Sequence, residues 1–157
     1  MSGVSINTRE SLIAGVQVIP LKQFSDERGE VYHMLKETDS HFICFGEIYF
    51  SLVNVGVVKA WKFHERITTN YACISGCVKF VLYDDRSSSP TKGALMEVAL
   101  GPDNYALLVV PPRIWNGFQG ISDDTAIVAN CATEPDDRSE IQRLDPEDGL
   151  IPYNWAT

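Results

Sequence analysis

"GVVKAWKFHERITTNYACISG", residues 56–76, holds two β-like runs, 57–63 and 71–74, framed by Gly56 and Gly76. Successive strand side chains point to opposite faces, so alternation puts Ala60, Lys62 and His64 on one face and Lys59, Trp61 and Phe63 on the other. A lysine and a histidine two residues apart inside a barrel perturb each other, and the neighbouring charge and partial burial both favour the neutral forms. His64 is then a candidate proton acceptor, and Lys62 a second base or a cation that stabilises an enolate oxygen. If the same face points to solvent, both are ordinary surface residues.

Outward from this stretch the pattern continues as strand after strand. Short β-branched and aromatic runs stand at 16–20, 48–53, 79–83, 95–100, 106–110 and 125–131. Turn-rich separators divide them: "SDERGE" (25–30), "SG" (75–76), "DDRSSSPTKG" (84–93) and "GPDN" (101–104). A turn of helix is expected near 138–143, and no internal repeat or linker is found. This predicts an all-β chain in a single domain over 1–157, a sandwich or barrel of the jelly-roll kind. The tail "DPEDGLIPYNW" (145–155) is expected to close one barrel end.

Composition bounds the function. A chain of 157 residues with 45% hydrophobic and 22% charged content is an ordinary globular protein able to bury a sizeable core. A net charge of −8 without a Lys/Arg block argues against binding nucleic acid through its phosphates. No apolar run approaches the roughly 18 residues needed to span a bilayer. Met1 to Glu10 lacks a basic segment followed by an apolar one, so no secretory signal is expected there. Cys44, Cys73, Cys77 and Cys131 form no C-x-x-C pair and are expected to pack as reduced core residues in a cytosolic protein.

The stretch 56–76 also resembles a frequent metal-binding β-barrel pattern, in which H-x-H and a downstream glutamate lie between two glycines. Lys62 stands at the first histidine position, His64 at the second and Thr69 at the glutamate. A second pattern of that superfamily, P-x-G followed by a histidine, falls on "VVPPRIWNGFQG" (109–120), where Pro111 begins it, Arg113 replaces glycine and Asn116 replaces histidine. Lysine and threonine are poor transition-metal ligands, and His64 alone cannot hold zinc or iron, so neither metal nor other cofactor is expected.

The order of "FSDERGE" (24–30), "GVVKAW" (56–61), "SGCVKFVLYDDRSSSPTKG" (75–93), "LLVVPPRIWNGFQG" (107–120), "DDTAIV" (123–128) and "DPEDGLIPYNW" (145–155) resembles the dTDP-4-dehydrorhamnose 3,5-epimerase family. The resemblance implies a cupin-type jelly-roll barrel, metal-free and dimeric, that removes protons beside the C4 ketone of a nucleotide-linked sugar. It implies that Arg28, from the D-x-R-G turn, reaches the partner's phosphate site, a contact that suits planar guanidinium. It puts Lys59 at the family's arginine, Lys62 at its catalytic histidine, His64 at its glutamine and Asn130 at its tyrosine acid. The related dTDP-sugar 3,4-ketoisomerases carry two histidines on this strand, the second matching His64. Ser51, Asn116 and Asn130 are candidate sugar hydrogen-bonding groups and Trp115 a candidate stacking platform, while Tyr49 and Tyr71 stand as substitutes for the missing acid.

The expectation is an epimerase or isomerase for a 4-keto-6-deoxy sugar on a nucleoside diphosphate, acting as a homodimer with His64 and Lys62 as its catalytic pair. The alternatives are a non-catalytic nucleotide-sugar or carbohydrate-binding barrel and a 3,4-ketoisomerase-like variant.

Overall fold

The structure, a computed structural model, describes residues 12–156; the sequence reading of Met1 to Glu10 lies outside them. Its strands are β1 (Gln17–Pro20), β2 (Gln23–Asp26), β3 (Gly29–Tyr32), β4 (Glu47–Val53), β5 (Val58–His64), β6 (Thr69–Ser75), β7 (Val78–Tyr83), β8 (Leu95–Leu100), β9 (Ala106–Val110), β10 (Trp115–Gly120), β11 (Ala126–Ala132) and β12 (Ile141–Arg143). Two five-stranded antiparallel sheets carry the fold, in the orders β1-β9-β6-β11-β4 and β12-β5-β10-β7-β8. Together they form an all-β, cupin-type jelly roll.

The core lies between the sheets and is written with a period of two. Val78, Phe80 and Leu82 of β7, Val98 and Leu100 of β8, and Leu108 and Val110 of β9 point into it, with Phe118 of β10 and Val128 of β11. Each such side chain stabilises the fold by about 1.5–3 kcal/mol relative to exposure. The second sheet is covered on its outer face as well. There Trp61, Val81 and Trp115 pack with Ile151 and Trp155 of the C-terminal tail, and Leu144 is tied to Trp61 by backbone hydrogen bonds in both directions. The tail therefore lies across the outside of a sheet and does not close a barrel end.

Three further expectations are corrected. "SDERGE" is more than a separator: Asp26 pairs with Gly29 across the two-residue turn of the β2–β3 hairpin, a small sheet of its own. The segment 138–143 is a single 3-10 turn, Arg138–Glu140, that runs directly into β12. Cys44 is exposed and Cys77 half-buried, so only Cys73 and Cys131 are core residues, although all four thiols are free.

One irregularity decides the site. Asn116 of β10 is opposite Lys62 and Phe118 is opposite Lys59, so one residue of β10, Gly117, faces two of β5, Ala60 and Trp61. The extra residue is a β-bulge, which resets the alternation. Lys59 and Lys62 consequently share the inner face, against the expectation that they lie on opposite faces. Gly117 permits it, because a Cβ there would sit 2.4 Å from the Cβ of Ala60.

The loop 84–93 is held by one carboxylate. Fully buried Asp84 accepts from Arg86 Nε (2.9 Å), Ser89 Oγ (2.6 Å) and Thr91 Oγ1 (2.7 Å). Burial alone would raise its carboxyl, but the hydrogen bonds from Arg86, Ser89 and Thr91 outweigh it and hold the group well below the usual carboxylate range. A folded carboxyl that titrates below its unfolded value contributes stability that is complete above about pH 4 and is lost as pH falls. Asp84→Ala should cost about 3 kcal/mol, read from the urea midpoint, and should flatten the acid loss of stability below about pH 4. A wild-type midpoint would remove Asp84 from the loop's support.

Candidate active site

Between the sheets lies a cavity of about 400 Å³. Its walls come from inward positions of both layers: Tyr49 and Ser51 of β4, Tyr71 of β6 and Asn130 of β11 on one side, Lys59 and Lys62 of β5, Asn116 of β10 and Arg143 of β12 on the other. These inward positions carry polar side chains, whereas those of β7 and β8 in the core are apolar.

The floor is made by two buried asparagines. The Tyr71 hydroxyl donates across the layers to Asn116 Oδ1 at 3.4 Å, and Asn116 Nδ2 donates to the carbonyls of Lys62 and Ile114. Asn130 stands in register between Tyr49 and Tyr71. Its Nδ2 donates to the Tyr49 hydroxyl at 2.9 Å, and its Oδ1 accepts from the backbone N–H of Asn70. Burial, with Tyr49 beside it, pushes the Tyr71 phenol well above its ordinary value, so it stays protonated.

The cavity is cationic in an acidic protein. Lys59, Lys62 and Arg143 line it, and among the described residues no carboxylate does. Lys59 Nζ donates to Ser51 Oγ (2.9 Å) and to the Leu52 carbonyl (2.8 Å), both uncharged, and so ties β5 to the edge strand β4. Arg143 stands directly opposite Lys62 in the β12–β5 register. Like charges directly opposite each other in a sheet are unfavourable, so an anionic ligand would relieve the juxtaposition.

His64 lies on the same face as Lys62 but does not line the cavity. It is buried, and its Nδ1 is 2.5 Å from Glu140 Oε1. Burial pushes the imidazole down, Glu140 pushes it up, and Lys62 and Arg143 add to the lowering; the net direction is down. Neutral His64 beside ionised Glu140 donates from Nδ1, so Nε2 is left as a bare acceptor, buried and without a hydrogen-bond partner among the described residues. Glu140 is fixed in turn by the Arg66 backbone N–H, which donates to Oε2.

Of the site residues proposed from sequence, Lys62, Lys59, Ser51, Asn116 and Asn130 meet in this one cavity, with His64 adjacent. Trp115 does not join them. It neighbours inward-pointing Asn116 on β10 and therefore faces outward, where its ring lies 5.0 Å from that of Phe63. Arg28 is highly exposed at the tip of the β2–β3 hairpin, paired with Asp26 at 2.7 Å, and does not line its own chain's cavity. Sequence reasoning missed Glu140 and Arg143, which lie in the segment taken for a helical turn. Among the described residues no three His, Cys, Asp or Glu side chains are grouped to hold a metal ion.

Comparison with known proteins places these observations in a lineage. Residues 10–155 match the family model described as dTDP-4-dehydrorhamnose 3,5-epimerase. The chain is 31% identical to a probable low-salt glycan biosynthesis epimerase of Haloferax volcanii, covering 90% of this chain and 89% of that one. It is 30% identical to a spore coat polysaccharide biosynthesis protein of Bacillus subtilis, covering 93% and 98% respectively. Among solved structures, a dTDP sugar isomerase from Desulfovibrio desulfuricans superposes with a TM-score of 0.90 at 45% identity, over 92% of this chain and 93% of that one.

The His64–Glu140 contact makes a pH prediction. An imidazole held below its unfolded value adds stability that is complete above about pH 6.5 and is lost as pH falls through the folded value. Because Glu140 opposes the lowering, Glu140→Gln should move the His64 midpoint to still lower pH, as followed by imidazole nitrogen NMR. An unchanged midpoint would show that the two groups are not coupled.

Proposed function

The chain belongs to the dTDP-4-dehydrorhamnose 3,5-epimerase family, and from that premise we propose that it is an epimerase or isomerase for a 4-keto-6-deoxy sugar carried on a nucleoside diphosphate. The observation that carries the reading is the cavity itself: among the described residues, three cations and no carboxylate surround a space of about 400 Å³ in a protein of net charge −8. That lining suits a ligand that brings negative charge at its phosphates and develops more on its sugar.

A C–H beside a ketone becomes acidic when the enolate formed on proton loss is stabilised. Lys62, facing the cavity, supplies the positive charge at the enolate oxygen. Of the pair, His64, adjacent to the cavity with its tautomer set by Glu140, takes the proton on Nε2, or Lys62, which does line the cavity, takes it with the roles reversed. Lys59 and Ser51 at the rim, with Arg143, bind the charged part of the ligand, and Asn116 and Asn130 hold the floor.

The active form in this reading is a homodimer. β4 is an edge strand whose outward residues Ile48, Phe50 and Leu52 are 49%, 57% and 57% exposed, an apolar row unusual for a free edge. The β2–β3 hairpin carries Arg28 away from its own cavity, which suits delivery to a partner's. The proposal also places the protein in the cytosol without nucleic-acid or membrane partners. No helix of the described residues is long and apolar enough to cross a membrane.

Incubation of a dTDP-linked 4-keto-6-deoxyhexose in heavy water should place deuterium beside the ketone. His64→Ala should reduce that uptake by about two to four orders of magnitude, and Lys62→Ala should slow it while nucleotide affinity stays near wild type. Binding of such sugars without exchange above background would favour a non-catalytic barrel. Exchange that survives both substitutions would move the chemistry elsewhere. Sedimentation should show a dimer at low micromolar concentration, and Arg28→Ala should weaken dTDP binding without altering the melting temperature; a fully active monomer would contradict this.

A further inference from the structure

Inversion at a carbon beside a ketone needs two groups, because a proton taken from one face must be replaced from the other. His64 and Lys62 both belong to β5 in the second sheet. A donor for the opposite face must therefore come from the first sheet, from a side chain that reaches the cavity and has a proton to give.

Among the cavity-lining residues of that sheet, only Tyr49, Ser51, Tyr71 and Asn130 carry hydroxyl or amide groups. Ser51 is occupied by the Lys59 ammonium and lies at the rim. Asn130 occupies the position where the resemblance expects an acid, yet a neutral amide does not donate a proton to carbon. Tyr71 is buried and its hydroxyl is directed at Asn116. Tyr49 is different. It is half-buried, it lines the cavity, and its oxygen accepts from Asn130 Nδ2 at 2.9 Å. An oxygen that accepts from an amide keeps its own hydrogen free, and no acceptor within the described residues takes it. The same amide bond stabilises the phenolate left after donation.

Resting on the epimerase reading above, we propose that Tyr49 is the catalytic acid of this chain. The acid function has moved one strand sideways, from the β11 position now held by Asn130 to its register partner on β4. The base on β5 removes a proton from the carbon beside the ketone, and the C–H electron pair passes to the carbonyl oxygen as an enolate next to Lys62. Collapse of the enolate draws the Tyr49 hydroxyl proton onto the opposite face of the same carbon and leaves a phenolate. The base releases its proton to solvent and the phenolate takes one back, so the enzyme is restored with no other reactant. Asn130 acts through Tyr49, as a positioning residue.

Removal and inversion are separable in one experiment, with a dTDP-linked 4-keto-6-deoxyhexose in heavy water and both deuterium content and configuration followed by NMR. Tyr49→Phe keeps the base, so uptake with retention should continue within a few-fold of wild type, while inverted product falls by at least about 100-fold. Replacement of Tyr49 by 2,3-difluorotyrosine should move the alkaline limb of the inversion profile to lower pH and leave that of exchange in place. Inversion near the wild-type rate in Tyr49→Phe overturns the proposal, as does equal loss of exchange and inversion in a folded variant. The exchange–inversion split appearing in Tyr71→Phe instead would make Tyr71 the donor and overturn it too. Wild-type protein that neither exchanges nor inverts would remove the epimerase reading, and the proposal with it.

Discussion

Where β5 passes β10, two residues must fit opposite one, and the site follows from that local misfit. A regular strand would turn either Lys59 or Lys62 outward, leaving two of the three cations for the ligand. The bulge turns both inward while Trp61 and Phe63 remain on the outer face, packed in the aromatic cluster. The tolerance for it comes from Gly117, where any side chain would collide with Ala60. Steric permission at a single glycine thus sets the electrostatics of the whole cavity.

Those electrostatics run against the protein's average. A chain of charge −8 repels a nucleotide at long range, but at about 0.15 M salt the repulsion is screened beyond roughly 8 Å. Within that distance the ligand meets Lys59, Lys62 and Arg143 with no carboxylate among the lining residues. Concave walls of low polarizability strengthen the local field. The arrangement favours an anion that enters the cavity over one that passes the surface.

The alternation of apolar residues made the jelly roll legible, since Val78, Phe80 and Leu82 repeat at the spacing their burial requires. The motif frames made Lys62, Asn116 and Asn130 legible as a group. What eluded the sequence had physical reasons. A bulge has no composition signature, so Lys59 was assigned to the wrong face. Trp115 looked like a stacking platform, although adjacency to Asn116 on one strand already implied the opposite direction. Glu140 meets His64 across 76 positions of chain, a distance no local pattern encodes. Arg143 sits on a three-residue strand that exists only because β5 offers an edge to pair with.

The outer aromatic cluster gives the molecule a built-in optical reporter. All three tryptophans of the chain, Trp61, Trp115 and Trp155, are buried in it together. The ring of Trp61 lies 5.1 Å from that of Trp155, which the C-terminal tail delivers. Indole emission therefore registers how the tail is seated on the sheet, and its red shift would mark undocking before the inter-sheet core melts. Because β5 carries Trp61 outward and Lys62 inward, a change in colour on ligand addition would signal strain passed through one strand from the cavity to the tail.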